Sequence, residues 1–155
     1  MRTRSLAGLI GAHPFFDAFP KPYLAEVTGC ASNQRFAVDA HLTREAEPAD
    51  RFFLIREGRV AIEVRQPSGG PMILDTVEGG QILGWSWIMA PYRYHFDSRA
   101  LTPVYAIAFD AACLRGKCDA DPALGYDLLK RFTGVMLERF QATRVRLLDL
   151  YSARP

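Results

Sequence analysis

Histidine is scarce in this chain, and its scarcity excludes one kind of site. The three histidines, His13, His41 and His95, show neither HxH nor HxxH spacing, whereas a metal centre in a β-barrel needs clustered histidine and carboxylate ligands. We therefore predict no metal site. The sequence also lacks GxSxG, HExxH and P-loop motifs, so no motif places a nucleophile or an acid–base pair. We predict that the protein is not an enzyme.

Cysteine is equally scarce. Cys30, Cys113 and Cys118 form no CxxC motif, and an odd number of cysteines without that motif favours reduced thiols in a cytosol. We expect each cysteine to pack as a small apolar side chain. The start, MRTRSLAGLIGAHPFF, is basic and then apolar like a signal peptide, but its apolar part is short and Pro14 interrupts it. A cytoplasmic location is therefore predicted.

The chain also lacks a strong net charge and a long apolar run. Its 19 basic and 17 acidic residues give a net charge of +2, and this balance argues against bulk nucleic-acid binding. No apolar run approaches the roughly 18 residues of a membrane span, so no membrane partner is expected. A length of 155 residues with 49% hydrophobic residues is typical of one globular domain. We predict a single domain over residues 1–155.

Two regions with different sequence patterns precede residue 111. Between residues 13 and 30, apolar residues recur at helical spacing, and three prolines break this lead-in into short helices. Over residues 35–110, short segments alternate with turn residues, as in a barrel, jelly roll or β-sandwich. The predicted strands are Phe36–Val38, Phe52–Ile55, Val60–Val64, Ile73–Val77, Ile82–Leu83, His95–Leu101 and Val104–Phe109.

Residues 111–152 are predicted to be helical. AACLRGKC reads as a short helix, and Asp121-Pro122 then marks the start of a long one, with an N-cap carboxylate followed by proline. About 30 residues of helix span roughly 45 Å, more than a compact β-domain covers. We therefore predict a homodimer that forms through this helix. The predicted dimer residues are Phe132, Met136, Phe140, Thr143 and Leu147.

Four segments carry a resemblance to a known family. They are EPADRFFLIREGRVAIEV, GGQILG, SRALTPVYAIAFD and ERFQATRVRLLDL, in this order. They resemble, respectively, the second-to-fourth-strand block, the start of the phosphate-binding cassette, the following strand pair and the dimer helix of the cyclic-nucleotide-binding domain. That domain is found at the front of catabolite-activator and FNR-type bacterial regulators. The resemblance implies a mainly β fold with flanking helices, namely a double-stranded β-helix (a jelly-roll-like β-roll) with N-terminal helices and a long C-terminal helix.

The resemblance also implies a phosphate-binding cassette within residues 79–100. In the family, a glutamate directly after the second glycine accepts a hydrogen bond from the ribose, and an arginine further along pairs with the phosphate. The second glycine matches Gly84, so Trp85 stands at the glutamate position and Tyr94 at the arginine position. Because both charged ligands are replaced by aromatic residues, cyclic AMP is not expected in the usual pose.

Several residues around the cassette remain candidates for binding a ligand. Arg93 and Arg99 are the nearby cations, and Arg93 reaches the phosphate position only if a bulge turns it inward. Thr143 matches a threonine of the dimer helix that contacts the base in related regulators, whereas Arg144 stands in place of a serine. The full candidate set is Gly84, Trp85, Ser86, Trp87, Arg93, Tyr94, Arg99 and Thr143.

These patterns predict a stand-alone sensory or regulatory domain with a degenerate cassette. No cofactor is expected, and any ligand would be a nucleotide or another anionic small molecule. No helix-turn-helix follows, so no DNA-binding domain is predicted in this chain. The alternative is a ligand-free protein-interaction or structural dimer subunit with the same fold. Indoles of Trp85 and Trp87 that fill the ribose–phosphate space favour this alternative, whereas an open cavity beside Arg93 or Arg99 favours a sensor.

Overall fold

A computed structural model describes residues 4–153 of the chain. The chain forms two compact units, one up to Lys117 and one from Cys118 onwards. A 3₁₀ turn at Pro14–Phe16 accompanies the helices and strands. These are, in chain order, α1 Leu6–Ala12, α2 Lys21–Thr28, β1 Ala31–Phe36, β2 His41–Thr43, β3 Arg51–Glu57, β4 Arg59–Val64, β5 Met72–Glu78, β6 Ile82–Leu83, β7 Asp97–Ala100, β8 Val104–Asp110, α3 Ala111–Ala120 and α4 Pro122–Ser152.

The first unit contains two four-stranded antiparallel sheets. One sheet has the strand order β1-β8-β3-β6 and the other has the order β2-β7-β4-β5. Within them, β8 lies between β1 and β3, and β4 lies between β5 and β7. Most neighbouring strands are distant in the sequence, as in a jelly roll and unlike a series of hairpins. The predicted fold class, mainly β with flanking helices, is confirmed.

Alternation of side chains along the strands builds the core. Phe53 and Ile55 of β3 belong to the same apolar cluster as Val60 and Ile62 of β4, and all four are buried. Because successive strand residues point to opposite faces, Phe52 must lie on the other face of β3. Phe52 is also completely buried, so β3 is covered on both faces.

His13 attaches the N-terminal segment to the first sheet. Its Nδ1 accepts a hydrogen bond from the N–H of Phe15 at 3.2 Å, and its Nε2 lies 3.1 Å from the carbonyl oxygen of Ile55. A carbonyl only accepts, so Nε2 carries the proton and the ring is neutral. Burial lowers the pKa of His13, which fits this neutral form. His13 therefore has a structural role as a cap.

Three short elements differ from the sequence-based expectation. β1 ends at Phe36, whereas a strand was predicted over Phe36–Val38; the chain turns there, with Asp39 at a φ of 71°. β2 was not predicted, because three residues are too few to show alternation. α1 was not predicted either; its N-terminal start is capped by the Ser5 hydroxyl, which accepts from the N–H of Gly8 at 3.1 Å.

Two of the three cysteines form a disulfide. Cys30, between α2 and β1, is bonded to Cys113 in the first turn of α3, and their Cα atoms lie 5.7 Å apart. The prediction of reduced thiols is wrong for this pair, because folding brings together two cysteines that are separated by 83 positions in the sequence. Cys118 is free, and burial raises the pKa of its thiol.

The second unit consists mainly of α4, which begins where the sequence predicted. The Asp121 carboxylate accepts from the N–H groups of Ala123 and Leu124 at 3.2 and 3.4 Å, and Pro122 occupies the first helical position. Phe132 is completely buried within one chain, so it offers no surface to a second copy. Within residues 4–153, no helix combines the length and the apolar character needed to cross a membrane.

Candidate functional site

The cassette connects β6 to β7 and begins with a sharp change of direction at Gly84. β6 pairs with β3 only through Leu83 opposite Phe53 and Ile82 opposite Leu54. Gly84 then adopts a φ of 89°, a left-handed conformation that glycine reaches without a steric penalty. A Cβ at Gly84 would meet its neighbours at 3.7–3.8 Å, so the backbone angle, not lack of space, requires the glycine.

Tyr94 completes the hydrogen-bond ladder that β6 leaves short. Alternate residues of β3 turn their backbone groups towards β6, and Ile55 in this way bonds to Gln81 and Gly80. β6 does not extend as far as Arg51, and the Tyr94 hydroxyl accepts from the Arg51 N–H at 3.2 Å and donates to the Arg51 carbonyl at 2.6 Å. Burial raises the pKa of Tyr94 from 10.0 to about 12. The residue at the family's arginine position is thus part of the protein framework.

Trp87 belongs to an aromatic layer on the outer face of the first sheet. Its ring stacks on Phe52 with centroids 5.1 Å apart, and Phe52 stacks on Phe109 at 4.5 Å. Phe16 of the 3₁₀ turn contacts Phe109 from the same layer at 5.9 Å. Trp87 is 1% exposed, so its indole fills a packed layer that is separated from the core between the sheets by β3 itself.

Trp85 and Ser86 are more accessible than Trp87. Both are half-buried, and the Trp85 carbonyl accepts from the N–H of Ile88 at 3.3 Å. Of the two indoles in the cassette, therefore, one is packed and the other retains exposed surface.

Both candidate arginines donate to acceptors of the protein. Arg93 is exposed, and its Nη1 donates to the carbonyl of Ala46 at 2.9 Å. Arg99 donates through Nε and Nη2 to the Glu63 carboxylate at 2.9 and 2.7 Å and through Nη1 to Asp39 at 2.6 Å. These bonds, first those to Glu63, raise the pKa of Arg99. Both guanidinium groups are thus already hydrogen-bonded within the protein.

Arg99 and Glu63 also lie on the wrong face to join the cassette aromatics. The next residue along β7, Ala100, and the residue before Glu63, Ile62, both belong to the core between the sheets. Alternation then directs Arg99 and Glu63 to the outer face of the second sheet. The structure brings Gly84, Tyr94 and Trp87 together around β3 but leaves Arg99 apart from them.

A charged groove of about 400 Å³ occupies that outer face and was not predicted. Asp97 is buried there; burial alone would raise the pKa of Asp97, but the N–H of Glu45 and the Arg65 guanidinium hold it below its usual value. The groove is lined by His41, Arg44, Glu63, Arg65, Gln66, Gly69, Pro71, Asp97 and Arg99. The sequence signal for this groove was the recurrence of charged residues at every second position in β4 and β7.

Two further cations near the cassette were also missed. Arg51 shares the inward face of β3 with Phe53, and its guanidinium lies 5.2 Å from that ring. Arg115 of α3 donates to the Trp87 carbonyl at 2.6 Å and lies 4.3 Å from the Tyr92 ring centroid. Arg115 thereby ties α3 to the cassette at two points. No local motif reveals either contact, since both depend on the folded chain.

Thr143 lies in α4, in the second unit. Its hydroxyl donates to the Arg139 carbonyl at 2.9 Å, and the Arg144 guanidinium lies 5.7 Å from the Phe140 ring. The role of Thr143 as a contact to a base remains a prediction. Among the residues that the structure describes, no group of three or more histidine, cysteine or acidic side chains is arranged to hold a metal ion.

Residues 33–121 match the family model of the cyclic nucleotide-binding domain. The match covers more than half of the chain, and the chain belongs to this family. The family is one of regulatory, ligand-binding domains, so the resemblance found in the sequence is confirmed.

Known proteins of similar sequence and structure agree with this assignment. The CRP-like cAMP-activated global transcriptional regulator of Mycobacterium tuberculosis is 29% identical over 106 residues, which are 68% of this chain and 46% of that protein. The chain thus spans about half the length of this relative. A cyclic nucleotide-binding domain from Methylobacillus flagellatus superposes with a TM-score of 0.77 at 20% identity, covering 93% of this chain and 81% of that one. The sensor domain of the regulator DNR from Pseudomonas aeruginosa superposes with a TM-score of 0.68 at 20% identity, covering 86% of this chain and 89% of that one.

Proposed function

We propose that this chain is a regulatory domain whose cassette does not hold cyclic AMP in the family's usual pose. The observation that carries this proposal is the position of Tyr94. Its buried hydroxyl bonds to both backbone groups of Arg51, at the point where the family places a phosphate-binding arginine.

The charges around the cassette support the same proposal. Arg93 and Arg99 already donate to protein acceptors, and the Glu63 and Asp39 carboxylates that pair with Arg99 offset the charge it would offer to a phosphate. Loss of a charge-assisted contact to a buried anion costs about 2–5 kcal/mol. Two such losses weaken binding by roughly a thousandfold or more.

The test is a thermal-shift titration with cyclic AMP and cyclic GMP at millimolar concentration. We expect no change in Tm, whereas a ligand at a hundredfold excess over its Kd would stabilise the fold by about 2.7 kcal/mol. The Mycobacterium tuberculosis relative, described as cAMP-activated, serves as the positive control. Stabilisation of this chain by cyclic AMP that disappears in Arg93→Ala would contradict the proposal, because Arg93 would then replace the missing arginine.

A different anionic ligand is a separate outcome of the same screen. Arg51 is the inward-facing cation beside the cassette, and Trp85 keeps exposed surface for stacking. Another nucleotide or anionic metabolite would identify a sensor if it stabilises the wild type, if Arg51→Ala abolishes that stabilisation, and if Arg99→Ala does not change it. Without any such ligand, the packed indole of Trp87 favours the second candidate function, a ligand-free interaction subunit.

We also propose that α4 pairs with α4 of a second copy. Met136, Phe140, Thr143, Leu147 and Leu150 are spaced by four, three, four and three residues, which is the seam of a coiled coil. Phe140, Leu147 and Leu150 are 59%, 48% and 68% exposed in the single chain. The same helix from a second copy offers the matching seam. Phe132, being buried, is not part of this proposed interface.

Sedimentation equilibrium tests the dimer. We expect twice the chain mass of 17.4 kDa for the wild type and the monomer mass for Phe140→Glu. Val145→Glu is the matched control, because Val145 is 57% exposed but lies opposite the seam. A monomeric wild type, or equal dissociation of both variants with helix content unchanged by circular dichroism, would rule out this seam.

The role of the whole protein follows from its relatives only as a proposal. A relative that regulates transcription suggests a cytoplasmic regulator that works by binding and not by catalysis. The mechanism that fits is a shift of population in which occupancy of the cassette changes the packing of the C-terminal helices.

A further inference from the structure

The disulfide between Cys30 and Cys113 is unusual for a protein in the proposed location. Thiols of the cytosol are kept reduced, and the disulfides that do form there are mostly transient, catalytic or redox-sensing. We propose that Cys30 and Cys113 are a reversible redox pair, oxidised by a peroxide and reduced by a cellular thiol, which controls how firmly α3 holds the cassette. The redox part of this proposal rests on the cytoplasmic location but not on the identity of any cassette ligand.

The two cysteines differ in access, as the two partners of such a pair must. Cys113 is partly exposed, whereas Cys30 is only 7% exposed. Their Cα atoms are 5.7 Å apart, within the usual disulfide range, so the bond forms without movement of the backbone. Cys113 is therefore the sulfur that an oxidant or a reducing thiol reaches, and Cys30 is the resolving partner.

The chemistry is complete with these two residues and a peroxide. The Cys113 thiol gives up its proton, the thiolate attacks one peroxide oxygen, and the O–O bond breaks; the leaving oxygen takes up that proton, so the products are a sulfenic acid on Cys113 and water. The Cys30 thiol then attacks that sulfur, the S–S bond forms, and a second water leaves. The two sulfurs together lose two electrons, which the peroxide gains. In the reverse direction, two thiols such as those of glutathione reduce the bond through a mixed disulfide and leave as an oxidised pair.

Helix α3 connects this pair to the cassette. Arg115, two residues after Cys113, donates to the Trp87 carbonyl and covers the Tyr92 ring. Lys117, at the other side of the helix, donates to the Glu26 carbonyl of α2. Reduction removes the covalent tie at the start of α3, so that polar contacts alone hold the helix here. The bond from Arg115 to the Trp87 carbonyl is then made less often while the fold remains.

The chain contains a built-in reporter for this effect. Its two tryptophans are Trp85 and Trp87, and both lie in the cassette. Intrinsic tryptophan fluorescence therefore follows the cassette alone, in the full chain and without a label.

The first experiment counts thiols by mass after alkylation in denaturant. After peroxide treatment we expect one reactive thiol, Cys118, and after incubation with millimolar glutathione we expect all three. The control Cys118→Ser should give no reactive thiol after peroxide and two after glutathione. Three reactive thiols after peroxide, or one after glutathione, would overturn the proposal, because the pair would then be unformed or irreversible.

The second experiment tests the coupling. We expect tryptophan emission to differ between the oxidised and the reduced wild type, to be insensitive to redox state in Cys30→Ser, and to be insensitive in Arg115→Ala, which still forms the disulfide. Emission that does not change in the wild type would overturn control of the cassette. A change that persists in Arg115→Ala would show direct quenching by the disulfide and would overturn the route through α3.

Discussion

Tyr94 shows how a single side chain can take the place of part of a strand. Its hydroxyl both donates to and accepts from Arg51, which no aliphatic residue can do. The sequence revealed that an aromatic residue stands at this position, but not what the hydroxyl does. Its partner lies 43 positions earlier in the chain, and only the short pairing of β6 creates the need for it.

Removal of the Tyr94 hydroxyl is expected to destabilise the fold. Tyr94→Phe leaves the N–H and carbonyl of Arg51 without their partner, which costs about 1–3 kcal/mol. Urea denaturation measures the change. Tyr92→Phe is the control, because Tyr92 is 38% exposed and the mutation keeps the ring that Arg115 covers; we expect a change below about 0.5 kcal/mol. Equal losses in both variants would contradict the framework role of Tyr94.

Alkaline pH should weaken the fold through the same hydroxyl. The pKa of Tyr94 is raised from 10.0 to about 12 on folding, so the folded state keeps its proton where the unfolded state loses it. This contribution is complete below pH 10 and is lost as the pH rises towards 12, on the order of 2 kcal/mol in all. Denaturation at several pH values should show a smaller alkaline loss for Tyr94→Phe. Parallel pH curves for the two proteins would refute this assignment.

Among the secondary-structure elements, those with strong local signals were predicted well. The alternation in VAIEVRQ indicated β4, and Asp121-Pro122 indicated the start of α4, because strand pleat and helix capping are properties of neighbouring residues. β2 and α1 lack such signals. The sequence alone does not show which face of β7 carries Arg99. A bulge or a shift of one residue reverses the face, and both depend on how β7 pairs with other strands.

The N-cap of α4 provides a prediction for a single element. Asp121→Ala removes the acceptor for the N–H groups of Ala123 and Leu124, and we expect a loss of about 1 kcal/mol. Asp119→Ala is the matched control, since Asp119 is a neighbouring carboxylate in the last turn of α3, whereas the N–H groups of Ala123 and Leu124 bond to Asp121. Chemical denaturation followed by circular dichroism measures both. A loss in Asp121→Ala no larger than that in Asp119→Ala would show that α4 does not depend on this cap.

For the whole molecule, the disulfide is the largest departure from the sequence-based expectation. The order of four family segments predicted the β-roll correctly, because that order follows the chain. The bond between Cys30 and Cys113 connects residues separated by 83 positions, and three cysteines permit several pairings. Only the folded chain selects this one.

Loss of the bond should weaken the oxidised protein as a whole. A cross-link that closes a loop of this length stabilises by about 4.5 kcal/mol in the chain-entropy model. Without reductant, Cys30→Ser should therefore unfold at lower urea concentration than the wild type or Cys118→Ser. With reductant present, the three proteins should become alike. With reductant, Cys30→Ser could still unfold at a lower urea concentration than the wild type, by as much as it does without reductant. That result would mean that the serine itself disturbs the site.

The hydroxyl at position 94 also constrains how this chain can evolve. An arginine placed there would remove the hydroxyl that bonds to both backbone groups of Arg51 and would bring a charge into a buried position. Each consequence destabilises the fold before any ligand is gained. An arginine at this position therefore needs a second, simultaneous change that closes the edge of β3, such as a longer β6. The single mutation Tyr94→Arg is thus expected to give a less stable protein, so position 94 and the edge of β3 should change together in evolution.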